Sequence, residues 1–334
     1  MFEFCVVTGT TAQEVIARRR DDVVQVVRDA YLAHEAGRSH NPPSYFLRPP
    51  GRPGDRVIAL PACLSGASEL MGMKWIASFP GNVPRGIPRA SATLVLNDPE
   101  TGYPYALLEA SQISAARTAA SAALAAEVLA GGRAAGRLLV VGAGIIARNV
   151  LEFLAARAWT VGAVTVHDTH PDYASTLAGR ARELLGCPAD VAPDLAAALP
   201  GADVVLLATT AASPHLVEPD TFRAGQLVLN LSLRDLGPEV VVGAYNVLDD
   251  VDHCLTAGTS PHLAEQAYGH RDFVTATLGQ VLDGSRTVPH DKPVIFSPFG
   301  LGILDLAVGD LVHRDACERE SAVEIAGFFA ETTR

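Results

Sequence analysis

The chain has 334 residues, with 26 Lys and Arg against 37 Asp and Glu, a formal net charge of −11 and 49% hydrophobic residues. That length allows two domains, each with its own core, and the acidic balance argues against nucleic acid or an anionic membrane as a partner. No apolar run reaches the ~18 residues of a membrane span, and the N-terminus lacks the basic-then-apolar order of a secretory signal, so a cytoplasmic protein is expected.

In chain order, an early helix is predicted over 12–35, followed by a Pro-rich link, NPPSYFLRPPGRPGD. Strand-like runs at 57–60, 71–78 and 92–97, separated by Gly, Pro and Asn turns, predict an α+β domain with a mainly antiparallel sheet. An Ala-rich helix over 114–130 stops at Gly131-Gly132 and leads into a different pattern. There, apolar runs at 138–141, 161–166, 190–191, 203–209, 226–231 and 246–249 alternate with helical stretches to about 158 and over 173–185. Such alternation predicts a parallel sheet with helices on both faces. The last helix, from 302 to 313 and beyond, has too few partners of its own and is expected to return to the first domain. The reading is an α/β protein: a Rossmann-type doubly wound parallel sheet (118–300) plus a discontinuous α+β domain for substrate binding and dimerisation (1–117 and 301–334).

The stretch RLLVVGAGIIARNVLEFLAARAWTVGAVTVHD, 137–168, carries the strongest chemical signal. A buried-strand run leads into Gly142, Gly144 and Ala147 in G-x-G-x-x-A spacing, then an amphipathic helix, then a second strand ending at Asp168. Gly142 allows the tight turn, Gly144 lets a pyrophosphate approach the backbone, and Ala147 lets helix and strand pack closely. The phosphates would meet the unpaired N–H groups of the helix N-terminus. Asp168 is placed for the adenosine ribose hydroxyls and would repel the extra phosphate of NADP, so NAD is the expected cofactor. On spacing alone Asp168 also reads as a cap for the next helix.

Three basic residues and one acid are candidates for substrate chemistry. Lys74 is a cation in an otherwise apolar strand, and a buried ammonium needs a partner that the neighbouring sequence does not offer; a strand-edge lysine reaching solvent fits equally. Arg117 is the cation of the Ala-rich helix, where small neighbours allow close approach and bidentate carboxylate binding; an ordinary surface arginine fits equally. Arg48 lies in the Pro-rich link with Arg52 and Arg56 nearby. Asp235 follows a predicted strand, where residues of such sheets do chemistry, or caps a helix. Glu109, just before the Ala-rich helix, could orient Lys74 or Arg117 or be a plain surface acid. The five cysteines stand apart without a C-x-x-C pair, and the ten histidines lack carboxylates at ligand spacing, so no metal is expected.

The segments KWIASFPGN, NDPETGYP, ISAARTAA, GAGIIA, the acid at Asp168 and IFSPFGLGILDLAVGDLV, in this order, resemble the ornithine cyclodeaminase/mu-crystallin family. The resemblance spans nearly the whole chain. It implies a homodimeric NAD enzyme acting on a small amino acid, with Lys74, Arg117 and Arg48 on the substrate carboxylate. It puts catalytic roles on Asp235 and Lys74, with Arg89 and Gly300 also at the substrate. Cofactor contacts fall on Arg117, Thr118, Gly142, Gly144, Ile145, Ile146, Asp168, Thr209 and Ser232.

Ornithine cyclodeaminases carry a glutamate in an I-E-L-M-P-like strand. The corresponding strand here reads DRVIALPACL, with Ala59 at the expected carboxylate. Without that group an ornithine amino group has no partner, which weighs against cyclodeamination. RASATLVLND, YALLEASQISAARTAAS and FSPFGLGILDLAVG are instead similar to a branch that oxidises N-(2-amino-2-carboxyethyl)-L-glutamate with NAD. That branch releases 2,3-diaminopropionate and 2-oxoglutarate for siderophore or peptide-antibiotic biosynthesis.

Overall fold

A computed structural model describes residues 3–66, 69–331 and 333. The chain divides into two units, Met1–Arg117 with Leu301–Arg334, and Thr118–Gly300. The first opens with β1 (Cys5–Val7), α1 (Gly9–Arg18) and α2 (Arg20–Glu35). The single helix expected over 12–35 is therefore two. The chain breaks at Arg19 (φ −116°, ψ 28°), whose guanidinium turns to Asp22 and to the buried Asp315.

Short strands β2 (Ser39–His40) and β3 (Tyr45–Leu47) precede three long ones, β4 (Arg56–Leu64), β5 (Leu70–Ser78) and β6 (Ala90–Asn97), then β7 (Pro104–Glu109). β4 to β7 form an antiparallel meander, and β1 joins it parallel to β7. Alternation sets the two faces of this sheet. Gly72, Lys74, Leu94, Leu96 and Leu108 are buried on one, while Tyr45 (81% exposed), Leu47 (56%) and Trp75 (42%) lie open.

Helix α3 (Ser111–Leu129) carries the chain into the second unit. Its N-terminus is capped by Glu109, whose carboxylate accepts from the backbone N–H of Ser111 at 2.8 Å. Glu109 thus acts as a helix cap.

The second unit comprises β8 (Ala134–Val141), α4 (Ile145–Ala156), β9 (Thr160–His167), α5 (Pro171–Leu185), β10 (Ala189–Val191), α6 (Leu195–Ala198), β11 (Val204–Leu207), β12 (Leu227–Asn230), α7 (Pro238–Val242) and β13 (Tyr245–Leu248). It continues with α8 (Val251–Cys254), α9 (Ser260–Tyr268), β14 (Val274–Thr277), α10 (Leu278–Leu282) and β15 (Val294–Ser297). All eight strands are parallel, in the order β10-β9-β8-β11-β12-β15-β13-β14. The order reverses direction at β8, as in a doubly wound Rossmann sheet. Leu139, Val205, Leu207, Val228, Val240 and Ile295 are among the fully buried residues of its core.

The sequence pattern stops two strands short, since β14 and β15 follow Asp250. β15 is buried throughout and apolar up to its final Ser297, so it shows none of the alternation that marks a half-exposed strand. The chain ends in α11 (Gly302–Glu318) and β16 (Val323–Glu324), the latter pairing with β1. α11 packs on β4, β5, β6 and α2 and so covers one face of the first unit's sheet. Glycine makes this packing close. A Cβ at Gly302 would meet Ala62 Cβ at 2.9 Å, and one at Gly309 would collide with the Leu94 side chain. Among the described residues no helix is long and apolar enough to cross a membrane.

Candidate active site

In the first unit, the approach of α11 to the sheet brings a carboxylate to Lys74. Asp305 is fully buried, and its Oδ2 lies 2.6 Å from Lys74 Nζ while its Oδ1 accepts from Arg117 Nε at 3.2 Å. Lys74 Nζ also reaches Ser114 Oγ at 3.3 Å. One carboxylate therefore bridges two cations from β5 and α3, and the cluster keeps one net positive charge. Burial lowers the Lys74 pKa from 10.5 to about 8, with Arg117 adding to the fall and Asp305 opposing it. An ammonium held this far from water with surplus positive charge around it is built to take an anion.

Asp305 escaped sequence reasoning, although one signal was there. ILDLAVGDLV puts a carboxylate inside a helix that is apolar all round, and such a charge is kept only for a partner. The other basic candidates sit apart from this cluster. Arg89 donates to Ser78 Oγ at 2.8 Å, and burial lowers its pKa. Arg48 is exposed and lies over the Phe46 ring, 4.8 Å from its centroid.

The β4–β5 register also corrects the position of the missing glutamate. Ala59 pairs with Trp75, whereas Leu60 pairs with Lys74, so Ala59 faces away from the ammonium. Counting back from Pro61 along I-E-L-M-P puts the glutamate at Ile58, which shares the Lys74 face. That position is apolar too, so the face still lacks a carboxylate.

In the second unit, the turn after β8 fits a dinucleotide. Gly142 has φ +92°, and a Cβ there would meet the Ala208 carbonyl oxygen at 2.7 Å, so only glycine suits the position. A Cβ at Gly144 meets nothing within 4 Å, and Gly144 caps α4 without any side-chain bond. The first N–H groups of α4 thus face open space, as a pyrophosphate requires. Ile145 and Ile146 follow, the first 45% exposed, and Ala147 is fully buried against the sheet.

Asp168 ends β9 as expected, with Oδ2 accepting from Ala143 N–H at 2.7 Å and Oδ1 from His170 N–H at 2.8 Å. Its carboxylate therefore ties the glycine turn to the residue before α5, whose N-cap, His170, has no side-chain cap bond. Thr118, half-buried, lies on α3.

Asp235 is fully buried, with Oδ1 accepting from Thr209 Oγ1 at 2.6 Å. Its Oδ2 is buried without a hydrogen-bond donor, and His215 Nε2 stands 3.6 Å away. The interaction with Asp235 raises the His215 pKa, outweighing partial burial. His215 was missed because its neighbours, AASPHLVEP, form a loop without periodicity. Its backbone N–H and that of Leu216 both donate to the Asp235 carbonyl, which sets the pair.

Ser232 Oγ donates to Asn230 Oδ1 at 3.2 Å, and with Asn230, Cys254, Thr259, Ser297 and Phe299 it lines a cavity of about 60 Å³. Gly300 closes this segment at φ +99°, its N–H donating to the buried Asp249 at 2.6 Å.

Residues 9–320 match the ornithine cyclodeaminase/mu-crystallin family. The chain belongs to that family. It is 29% identical, over 88% of its length and 89% of the relative's, to N-((2S)-2-amino-2-carboxyethyl)-L-glutamate dehydrogenase of Staphylococcus aureus. Its fold is similar to that of Thermococcus litoralis Δ(1)-pyrroline-2-carboxylate reductase in complex with NADH and L-proline (TM-score 0.89, 23% identity, 96% of this chain and 100% of that one). An archaeal alanine dehydrogenase dimer with bound NAD is similar at TM-score 0.86 and 26% identity, over 98% of this chain and 100% of that one. The proteins it is similar to thus include enzymes named for amino-acid dehydrogenation and imine reduction.

Proposed function

We propose that the chain is an NAD-dependent oxidoreductase acting on the CH–NH group of an amino acid, with N-(2-amino-2-carboxyethyl)-L-glutamate as substrate. Products are L-2,3-diaminopropionate and 2-oxoglutarate. The observation that carries the reading is the buried Lys74–Asp305–Arg117 cluster, two cations on one carboxylate. The likeness to the Staphylococcus aureus enzyme supports the substrate.

The surplus charge at Lys74 and Arg117 binds an α-carboxylate by charge-assisted bonds, and Asp305 holds both cations in place. The substrate has three carboxylates, so Arg89 and Arg48 are reserved for the others, and Gly300 is kept as a substrate contact. Open space at Gly144 and the N–H groups of α4 receive the pyrophosphate, while Asp168 receives the ribose. Thr118, Ile145, Ile146, Thr209 and Ser232 complete the cofactor's surroundings. NAD held there would supply the acceptor for the hydride that leaves the substrate Cα.

The secondary amine gives up its proton and becomes an imine. Water adds to the imine carbon, and the carbinolamine collapses as its C–N bond breaks, leaving the keto acid and the free amine. Over the cycle one water is consumed and one proton released. The Asp235–His215 pair accepts that proton, with Asp235 supplying the charge that holds it on the imidazole. The lack of a carboxylate at Ile58 and Ala59 favours this reaction over cyclodeamination.

The open sheet face bearing Tyr45, Leu47 and Trp75 is assigned to a second copy of the chain. Adding N-(2-amino-2-carboxyethyl)-L-glutamate and NAD to the purified protein should raise the NADH absorbance with stoichiometric 2-oxoglutarate. NADH formed from alanine but not from this substrate would overturn the choice.

A further inference from the structure

The two ends of the chain bring three soft ligands together. Cys5 on β1 and His313 and Cys317 on α11 each point one ligand atom inward, and these atoms all lie within 4.8 Å of one another. We propose that Cys5, His313 and Cys317 form a zinc-binding site. His313 and Cys317 are one helical turn apart on the same face of α11, the spacing at which a helix offers two ligands to one ion. Their Nε2 and Sγ atoms are 3.4 Å apart. With Zn–S near 2.3 Å and Zn–N near 2.0–2.1 Å, a tetrahedral site needs about 3.6 Å between such a pair and about 3.8 Å between two sulfurs. The His313–Cys317 pair is therefore already close to its bound spacing, and Cys5 Sγ lies within 4.8 Å of both.

Two thiolates and an imidazole select a borderline-soft ion such as Zn²⁺ over Mg²⁺ or Ca²⁺. A disulfide would use Cys5 and Cys317 and leave the converging histidine without a purpose. The surroundings suit a cation. The site lies in the last turn and a half of α11, where the helix dipole is negative, and the His313 ring is braced edge-on by Tyr105 at 5.1 Å. Cys5 and His313 are half-buried and Cys317 exposed, so the fourth coordination position opens to solvent.

Bound zinc would pin the end of α11 to β1. Asp305 lies about 12–18 Å further up that helix from His313 and Cys317, at 1.5 Å per residue, so the metal acts on the stability of this packing and not on the reacting atoms. Cysteine spacing in the sequence could not show the site, because its ligands come from opposite ends of the chain.

The test titrates the reduced, metal-stripped full chain with Co²⁺ and then Zn²⁺. One equivalent of Co²⁺ should give a thiolate-to-cobalt charge-transfer band in the near ultraviolet, zinc should abolish it, and zinc should raise the melting temperature by several degrees. Cys317→Ser changes an exposed side chain and should keep the fold and the NADH-forming activity. Loss of an outer partner of a metal ligand costs 10- to 100-fold, so loss of this ligand should weaken Co²⁺ binding on the order of 100-fold or more. His313→Gln should do the same, while Cys187→Ser should change nothing. Cobalt binding without the thiolate band, equal binding by wild type and Cys317→Ser, or a Cys5–Cys317 disulfide in the native protein would each overturn the proposal.

Discussion

Lys74→Met should leave the protein as stable as the wild type or more so at pH 7, while removing most of its substrate affinity. Burial, with the help of Arg117, takes the Lys74 pKa from 10.5 to about 8. At about 1.4 kcal/mol per pH unit, the folded protein holds this charge at a cost of about 3 kcal/mol. The sign follows from proton counts. Because the folded value lies below the unfolded one, the unfolded chain binds more protons between about 8 and 10.5. Stability therefore rises with pH across that window, and the cost is fully present below it.

Methionine has nearly the length of the lysine stem and no charge. Asp305 keeps its bond from Arg117 at 3.2 Å, so no buried carboxylate is stranded. The variant should thus gain between zero and about 3 kcal/mol at pH 7, up to about 10 °C in melting midpoint, and the gain should shrink at pH 10. KM should rise roughly 10- to 150-fold, for one charge-assisted bond worth about 1.5–3 kcal/mol. Thermal melts at the two pH values and initial rates of NADH formation measure both. A stability lower by more than about 2 kcal/mol, or a difference that ignores pH, would refute the reading of Lys74 as a charge held for function.

The remaining predictions concern the second unit and the choice of branch. Asp235→Asn keeps the bond from Thr209 but removes the charge beside His215, and kcat should fall about 10²- to 10⁴-fold with NAD affinity little changed; near-normal turnover would reduce Asp235 to a structural cap. Since Asp235 raises the His215 pKa, activity that needs neutral imidazole should be lost as pH falls through that raised value. The residual activity of Asp235→Asn should lose its acid limb at lower pH than the wild type, and an unmoved limb would exclude His215. NAD should be preferred over NADP, and Asp168→Ser should narrow the kcat/KM gap; equal use of both by the wild type sinks the argument. Ile58→Glu puts a carboxylate on the Lys74 face and should raise the KM for the tricarboxylate substrate without creating ornithine-to-proline turnover; cyclodeamination by the unmodified protein would overturn the branch.

How much of this was legible in the sequence depended on how local each cause is. The glycine turn, its flanking strands and Asp168 were readable in order, because Gly142 answers to a backbone clash with Ala208 and Gly144 to open space at a helix start. The second is set by the β8–α4–β9 segment itself; the first answers to Ala208, just after β11, but the glycine spacing that meets it is local. β15 was missed because a buried parallel strand of four residues looks like any short apolar run, and β14, VTAT with one buried residue, is too short and too polar to stand out. The break at Arg19 was missed because its cause, Asp315, lies at the far end of the chain.

The same non-locality hid the ligand of Lys74. A lysine in an apolar strand and an aspartate in an apolar helix are each anomalous alone, and each is a buried charge that must be matched. Read together they predict one another, and the structure joins them at 2.6 Å. The misplacement at Ala59 has a different origin, since a resemblance fixes a residue only to within the alignment. In a strand one residue of error moves a side chain to the opposite face. Pairing of Leu60 with Lys74 removes that freedom, and it turns the missing glutamate from a question of similarity into one of which face the carboxylate would share with the ammonium.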